Sequence, residues 1–234
     1  MYDIFSNKCA LVTGASSGLG RSLVEIFSSH FDKLYVVGRN KDNLDETVRR
    51  CSESAEIVKL VIDLLDDDQV HDLLQRVSND VDVLVNCAGI FPMMPISQTS
   101  IEDFRKCMRI NVEVPFLLSR VLSKRMKEKG WGRIVNIGSS SAYGGSSETG
   151  LYCTSKHALL GLTRSLFLEH RETGVRTFFI APGSIQTPMG ASDERQDYST
   201  FLDPKEVSSF ILNTISYDSE MVANEVRLNR LVIR

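Results

Sequence analysis

The amino-acid sequence predicts a single α/β domain: one doubly wound, parallel, seven-stranded sheet flanked by helices. Three observations carry this. Short, β-branched apolar runs alternate with amphipathic helical stretches along the chain, the pattern of parallel strands joined by right-handed crossovers. Several runs are apolar at nearly every position, as strands covered on both faces require. The chain has 234 residues, 42% hydrophobic and 24% charged, enough to bury a full core without disulfides or metals and too apolar for disorder.

The elements follow in order. The segment before CALVT (9–13) lacks a basic n-region ahead of a long apolar run, so it leads into a strand and is not a signal peptide. A helix over 18–29 follows, then KLYVVG (33–38), a helix over 42–52, EIVKLVI (56–62), a helix over 66–78 and VDVLVN (81–86). The longest helix spans 101–128. Ser100 suits its N-cap, Glu102 and Asp103 suit its first turn, and Gly130 marks its end. Pro115 inside it has no N–H to give to the Asn111 carbonyl, so a kink that frees that carbonyl is expected there. GRIVNIG (132–138), a helix over 151–172, VRTFFIA (175–181), a helix over 204–216 and EVRLNRLVI (225–233) complete the alternation. No repeat or linker divides residues 1–234.

Composition excludes several roles. With 27 Lys and Arg against 30 Asp and Glu, the net charge is −3. That disfavours a non-specific nucleic-acid or membrane-surface binder. No apolar run reaches the length of a membrane span. Five cysteines, an odd number without a CxxC pair, argue against a disulfide framework or a zinc site and for a cytoplasmic protein with reduced thiols.

A glycine-rich turn, Thr13-Gly14-Ala15-Ser16-Ser17-Gly18-Leu19-Gly20, joins the first strand to the first helix. Its GxxxGxG spacing puts backbone N–H groups and a helix N-terminus at one point, where a diphosphate can approach closely. At the end of the second strand, Gly38-Arg39 offers no carboxylate for a ribose 2′-hydroxyl. Arg39 instead offers a guanidinium for a 2′-phosphate, and Ser16 and Ser17 could add hydroxyl contacts. NADP(H) is therefore expected over NAD(H).

Tyr152 and Lys156 stand four residues apart at the start of a helix, on one face. An ammonium beside a phenol favours the phenolate, so the lysine is expected to lower the tyrosine pKa. Such a tyrosine exchanges a proton with a carbonyl or alcohol oxygen. The serine-rich end of GRIVNIG, Gly138-Ser139-Ser140-Ser141, precedes it at the carboxyl end of a strand, where open parallel sheets bind ligands.

Together these pieces resemble the short-chain dehydrogenase/reductase family in its non-extended branch, over nearly the whole chain. The matches run in order: the TGxxxGxG turn at 13–20, Asp63-Leu64, Asn86-Cys87-Ala88-Gly89 for NNAG, Asn111, Ser139, Tyr152-x-x-x-Lys156, and Pro182-Gly183 followed by Thr187. The resemblance implies a Rossmann-type fold and a catalytic set of Asn111, Ser139, Tyr152 and Lys156. Tyr152 would be the general acid/base, and Lys156 would tune it and hold the nicotinamide ribose. Ser139, thirteen positions before the tyrosine, would polarise the substrate oxygen. Asn111 would hold a relay water through its main-chain carbonyl. Gly14, Ser16, Ser17, Gly18, Leu19, Gly20 and Arg39 would bind the cofactor's phosphates. Asp63 and Leu64 would meet its adenine, and Asn86, Ala88 and Gly89 would line its adenosine side. Pro182, Gly183, Ile185 and Thr187 would face the nicotinamide.

Cys87 and Gly138 depart mildly from the family pattern. The short substrate loop at about 187–203 and the tail after it depart most. The expected function is NADPH-dependent interconversion of a carbonyl and an alcohol on a small molecule, without a metal. A catalytically silent dinucleotide sensor or scaffold is the alternative; an extended-branch epimerase would need a longer chain. Phe91, Pro92, Met93, Met94, Ala142, Tyr143, Gly145, Met189 and the loop to Phe201 form the expected pocket rim. It is mainly apolar without clustered Arg or Lys, which disfavours a bulky carboxylate-rich or phosphorylated substrate. A homodimer or homotetramer is expected through Phe116, Leu117, Val121, Leu159, Leu162 and Phe167, by the family's habit of packing these helices.

Overall fold

In the computed structural model, residues 3–232 are described. Seven strands form one parallel sheet: β1 (Cys9–Thr13), β2 (Lys33–Gly38), β3 (Glu56–Val61), β4 (Val83–Asn86), β5 (Gly132–Ile137), β6 (Val175–Pro182) and β7 (Glu225–Leu228). Their order is β3-β2-β1-β4-β5-β6-β7. The order reverses direction between β1 and β4, which opens a crevice beyond their carboxyl ends. The helices are α1 (Gly18–Phe27), α2 (Lys41–Arg49), α3 (Asp67–Val77), α4 (Ile101–Met108), α5 (Val114–Lys129), α6 (Gly150–Glu169), α7 (Pro188–Ala191) and α8 (Pro204–Ser216). No helix among the described residues is long and apolar enough to cross a membrane.

The apolar runs are continuous because both faces of the sheet are covered. Along β1 and β2, Ala10, Val12, Leu34 and Val36 join the core beneath α1 and α8, with Leu23, Phe27 and Ile211. Their neighbours Cys9, Leu11, Tyr35 and Val37 point to the opposite core, with Val70, Leu73, Leu118 and Leu122 of α3 and α5. The strand period of two thus feeds two cores at once.

Two expectations change. The stretch 101–128 is not one α-helix: a π-helical turn, Arg109–Glu113, separates α4 from α5. There the Val114 N–H donates to the Arg109 carbonyl, one residue beyond the α register. Pro115, within the first turn of α5, needs no intrahelical acceptor. The wide turn is where the sequence places a kink. Ser100 caps α4 by accepting from the Asp103 N–H at 3.0 Å, and Gly130 ends α5 at φ 66°. The last strand stops at Leu228 and not at 233, because the tail leaves the sheet there and Asn229 and Arg230 turn over the cleft. Position 233 lies outside the described residues.

One residue that sequence reasoning did not single out ties β5 to the end of α8. Arg133 is fully buried. It donates to the Ile215 carbonyl at 3.1 Å, pairs with Asp218, and lies 4.3 Å from the Trp131 ring centroid.

Candidate active site

A cleft of about 700 Å³ runs from the glycine-rich turn to the segment after β6, residues 187–203. At the turn, the Thr13 hydroxyl accepts from the Cys87 and Ala88 N–H groups, both at 3.1 Å, and so draws the β4 exit onto β1. The two chains then pass so closely that a β-carbon on Gly14, at φ 70°, would stand 2.8 Å from the Ala88 backbone. One on Gly20 would stand 2.2 Å from the Gly14 carbonyl oxygen. The glycines thus permit two backbone approaches besides any to a ligand. Ser17, at the N-cap of α1, makes no side-chain cap, whereas Asn40, Asp66 and Ser100 cap their helices. The first-turn N–H groups of α1 are left for an anion, beside Ser16, Ser17, Gly18 and Leu19 on the cleft wall. These features fit a dinucleotide's diphosphate.

At the far end, Gly38 lies against Ser16, where a β-carbon would stand 3.1 Å from the serine side chain. Arg39 lines the cleft and is exposed, and it makes no hydrogen bond or ion pair among the described residues. Leu64, Ala88 and Gly89 also line the cleft, as do Pro182, Gly183, Ile185 and Thr187. Three of the expected residues do not. The Asp63 carboxylate accepts from the Leu65 N–H at 3.0 Å, inside its own turn. Asn86 is buried and donates to the Asn136 side chain at 2.7 Å, across the β4–β5 pair. Asn111 is buried behind the wall.

The remaining residues converge at the middle. Ser139 follows β5 and lines the cleft, and its hydroxyl accepts from the Ser141 N–H at 3.1 Å. Tyr152 and Lys156, one turn apart on α6, both line the cleft and are 8% and 5% exposed. Phe91 packs edge-on against the Tyr152 ring, centroids 4.7 Å apart. Lys156 donates to the Ile137 carbonyl at 2.9 Å.

Asn111 sits on the π-helical turn. Its amide oxygen accepts from the Ile90 N–H at 2.9 Å and its amide nitrogen donates to the Ile90 carbonyl at 3.0 Å. The same nitrogen donates to Ser155 at 2.9 Å, and the Ser155 hydroxyl donates to the Tyr152 carbonyl at 2.8 Å. Asn111 thus fixes the loop carrying Phe91 relative to the helix carrying Tyr152. Sequence reasoning missed Ser155, although it lies one helical turn from Leu151 and next to Lys156.

The electrostatics correct one expectation. Burial pushes the Tyr152 phenol up to about 12, with the Ser139 hydroxyl opposing. Burial also pulls Lys156 down to about 8. The ammonium is bonded to a backbone carbonyl, 5.6 Å from the tyrosine ring centroid. In this geometry desolvation is the largest influence on the phenol, which is raised and not lowered.

The rim is corrected too. Phe91 and Met189 line the cleft, but Pro92, Met93, Met94, Ala142, Tyr143 and Gly145 do not. Tyr143 faces β7, donating to Glu225 at 2.9 Å. The segment 187–203 and the C-terminal tail bring Arg195 and Arg230 to the wall of the same cleft, so the rim is not free of cations. The two are 35 residues apart in sequence, and only the fold brings both to one cleft. Of the apolar residues expected at an interface, Leu159 is spent in the core and Phe116 is exposed.

A sequence model of the short chain dehydrogenase family matches residues 8–198. The chain belongs to this family. As a family member it is an oxidoreductase that uses a nicotinamide dinucleotide. An uncharacterized oxidoreductase of Thermotoga maritima is 37% identical over 185 residues, 78% of this chain and 74% of that one. Among solved structures, a putative NAD(P)-dependent gluconate 5-dehydrogenase of Beutenbergia cavernae with bound NADP is 27% identical. It superposes with a TM-score of 0.84 over 96% of this chain and 95% of its own. A 4-hydroxyisoleucine dehydrogenase complexed with NADH is 28% identical, with a TM-score of 0.82 over 95% and 96%.

Proposed function

We propose that this short-chain dehydrogenase interconverts a carbonyl and an alcohol on a small molecule, with NADP(H) preferred over NAD(H). The observation that carries the reading is the meeting of Ser139, Tyr152 and Lys156 on one wall of the cleft that starts at the glycine-rich turn. The nicotinamide supplies or accepts the hydride when bound. Tyr152 gives its phenolic proton to the carbonyl oxygen, or takes one from the alcohol. Ser139 holds that oxygen. Lys156 binds the ribose, and positive charge gathered beside Tyr152 acts against the burial that raises its phenol. Asn111 keeps the Ile90 loop and α6 in register and continues the proton path from Lys156.

NADP(H) preference rests on Gly38 and on the guanidinium of Arg39, which has no partner among the described residues. Residues 187–203 serve as the substrate lid. The five thiols are unpaired, as a reducing, cytoplasmic setting favours. Self-association as a dimer or tetramer is supported by exposed apolar side chains at Ile96, Ile101 and Phe104 around one shallow groove. Sedimentation at micromolar concentration tests it, and a purely monomeric species refutes it.

The function is tested with a panel of ketones, following NADPH oxidation by the native chain and by Tyr152→Phe. Reduction that depends on Tyr152 supports the reading. Cofactor binding without turnover on any ketone or alcohol points to the silent dinucleotide binder instead.

A further inference from the structure

We propose that the substrate of this site carries a carboxylate, held by Arg230 on the wall formed by the lid and the C-terminal tail. The inference rests on the carbonyl–alcohol reading of the same cleft and adds its substrate class. After Leu228 the tail stays against the end of β6, because the Gly183 N–H donates to the Leu228 carbonyl at 2.8 Å. The stem of Arg230 runs beside Gly183, where a β-carbon would lie 3.8 Å from its Cγ. Its guanidinium lies 4.9 Å from the Phe201 ring centroid and lines the cleft.

The partners of that guanidinium are all neutral. One nitrogen donates to the Thr200 hydroxyl at 3.0 Å and another to the Gln196 amide oxygen at 2.6 Å. No carboxylate pairs with it among the described residues. Its neighbour Arg195 differs, being paired with Asp193 at 2.7 Å and with Glu148 across the mouth. Gln196 is itself oriented: its amide nitrogen donates to Asp193 at 2.7 Å, and its oxygen accepts from Ser184 at 3.1 Å as well as from Arg230. Arg230 is therefore a half-buried, positioned cation with donors to spare and no counter-charge. A guanidinium has five donors and no acceptor, and its planar fork matches a carboxylate. The diphosphate-binding features lie at the glycine-rich turn, whereas Arg230 lies against Gly183 and the lid, so the anion it suits is the substrate's.

The experiment pairs oxo acids with their methyl esters and compares kcat/KM in the native enzyme, Arg230→Gln, Arg230→Lys and Thr200→Val. The native enzyme is expected to prefer acids by about ten- to a hundredfold, the worth of one charge-assisted pair. Arg230→Gln should bring the acid-to-ester ratio near one, Arg230→Lys should keep part of it, and Thr200→Val should keep it. Loosening of the lid would lower acid and ester alike and leave the ratio in place. Calorimetry of succinate binding to the NADP-loaded protein reads the site without turnover, and Arg230→Gln should weaken it about tenfold. A native ratio near one, a ratio unchanged in Arg230→Gln, or a loss of cofactor affinity in its place would overturn the proposal. If no ketone or alcohol turns over, the carbonyl–alcohol reading fails by itself. The calorimetric comparison then decides for or against the carboxylate site.

Discussion

Lys156 donates to the carbonyl of Ile137 at 2.9 Å, while its ammonium lies 5.6 Å from the centroid of the Tyr152 ring. Both side chains are nearly buried. Burial sets their titration before anything else does: the phenol rises to about 12 and the ammonium falls to about 8. Burial thus disfavours the charged form of both groups, and any gain in positive charge near the phenol acts against that burial.

Tyr152→Phe keeps the ring on Phe91 and removes the proposed proton donor. Turnover should fall by about 10² to 10⁴, the usual worth of general acid–base catalysis, with cofactor binding nearly intact. Steady-state rates and a cofactor titration check both halves. Full-rate reduction by the variant would remove Tyr152 from the mechanism. Lys156→Met should lower turnover and cofactor affinity together.

The same pair predicts how stability varies with pH. Lys156 has a folded pKa of about 8 against an ordinary 10.5, so the unfolded chain binds more protons between those values. The cost of burying its charge is present below 8 and is relieved as pH rises towards 10.5. At pH 7, Lys156→Met should gain on the order of 3 kcal/mol relative to the native chain, shrinking with rising pH. Tyr152 acts in the opposite sense. Its folded pKa is raised to about 12 from 10, so its contribution is present below 10 and lost as pH rises through 12. Urea unfolding of both single variants from neutral to alkaline pH separates the two trends. A Lys156→Met difference that does not vary with pH would contradict the first.

Arg39→Ala should raise KM for NADPH by about ten- to a hundredfold, with little change for NADH, because one charge-assisted pair to the 2′-phosphate is removed. Equal affinity of the native protein for both cofactors would refute the preference.

Arg133→Met keeps a long side chain in the core but deletes the bonds to Ile215 and Asp218. Asp218 remains half exposed, which softens the loss of its partner. A destabilisation of about 3 kcal/mol is expected. It should appear as a lower denaturant midpoint, with α8 the first element to lose amide-exchange protection. Unchanged stability would show that the buried guanidinium contributes nothing net.

The sheet, the glycine-rich turn and the Tyr152–Lys156 pair are legible in the chain, because each is written in spacings of a few residues along one element. A period of two with both faces apolar demands a covered parallel strand. Four residues on a helix put two side chains on one face whatever surrounds them. Pro115 likewise announced a departure from the α register before any neighbour was known. What those residues touch depends on segments far away in the chain. Asn111 clamps Ile90 from 21 residues away and reaches Tyr152 through Ser155. Asp63 turns into its own loop and leaves the cleft. Arg230, read from sequence as part of a last strand, meets Gln196 and Thr200 on the cleft wall. The titration of Tyr152 belongs here as well: a spacing gives the distance to a charge along one helix, but desolvation depends on every element that packs over the phenol, and burial is the leading cause of its shift.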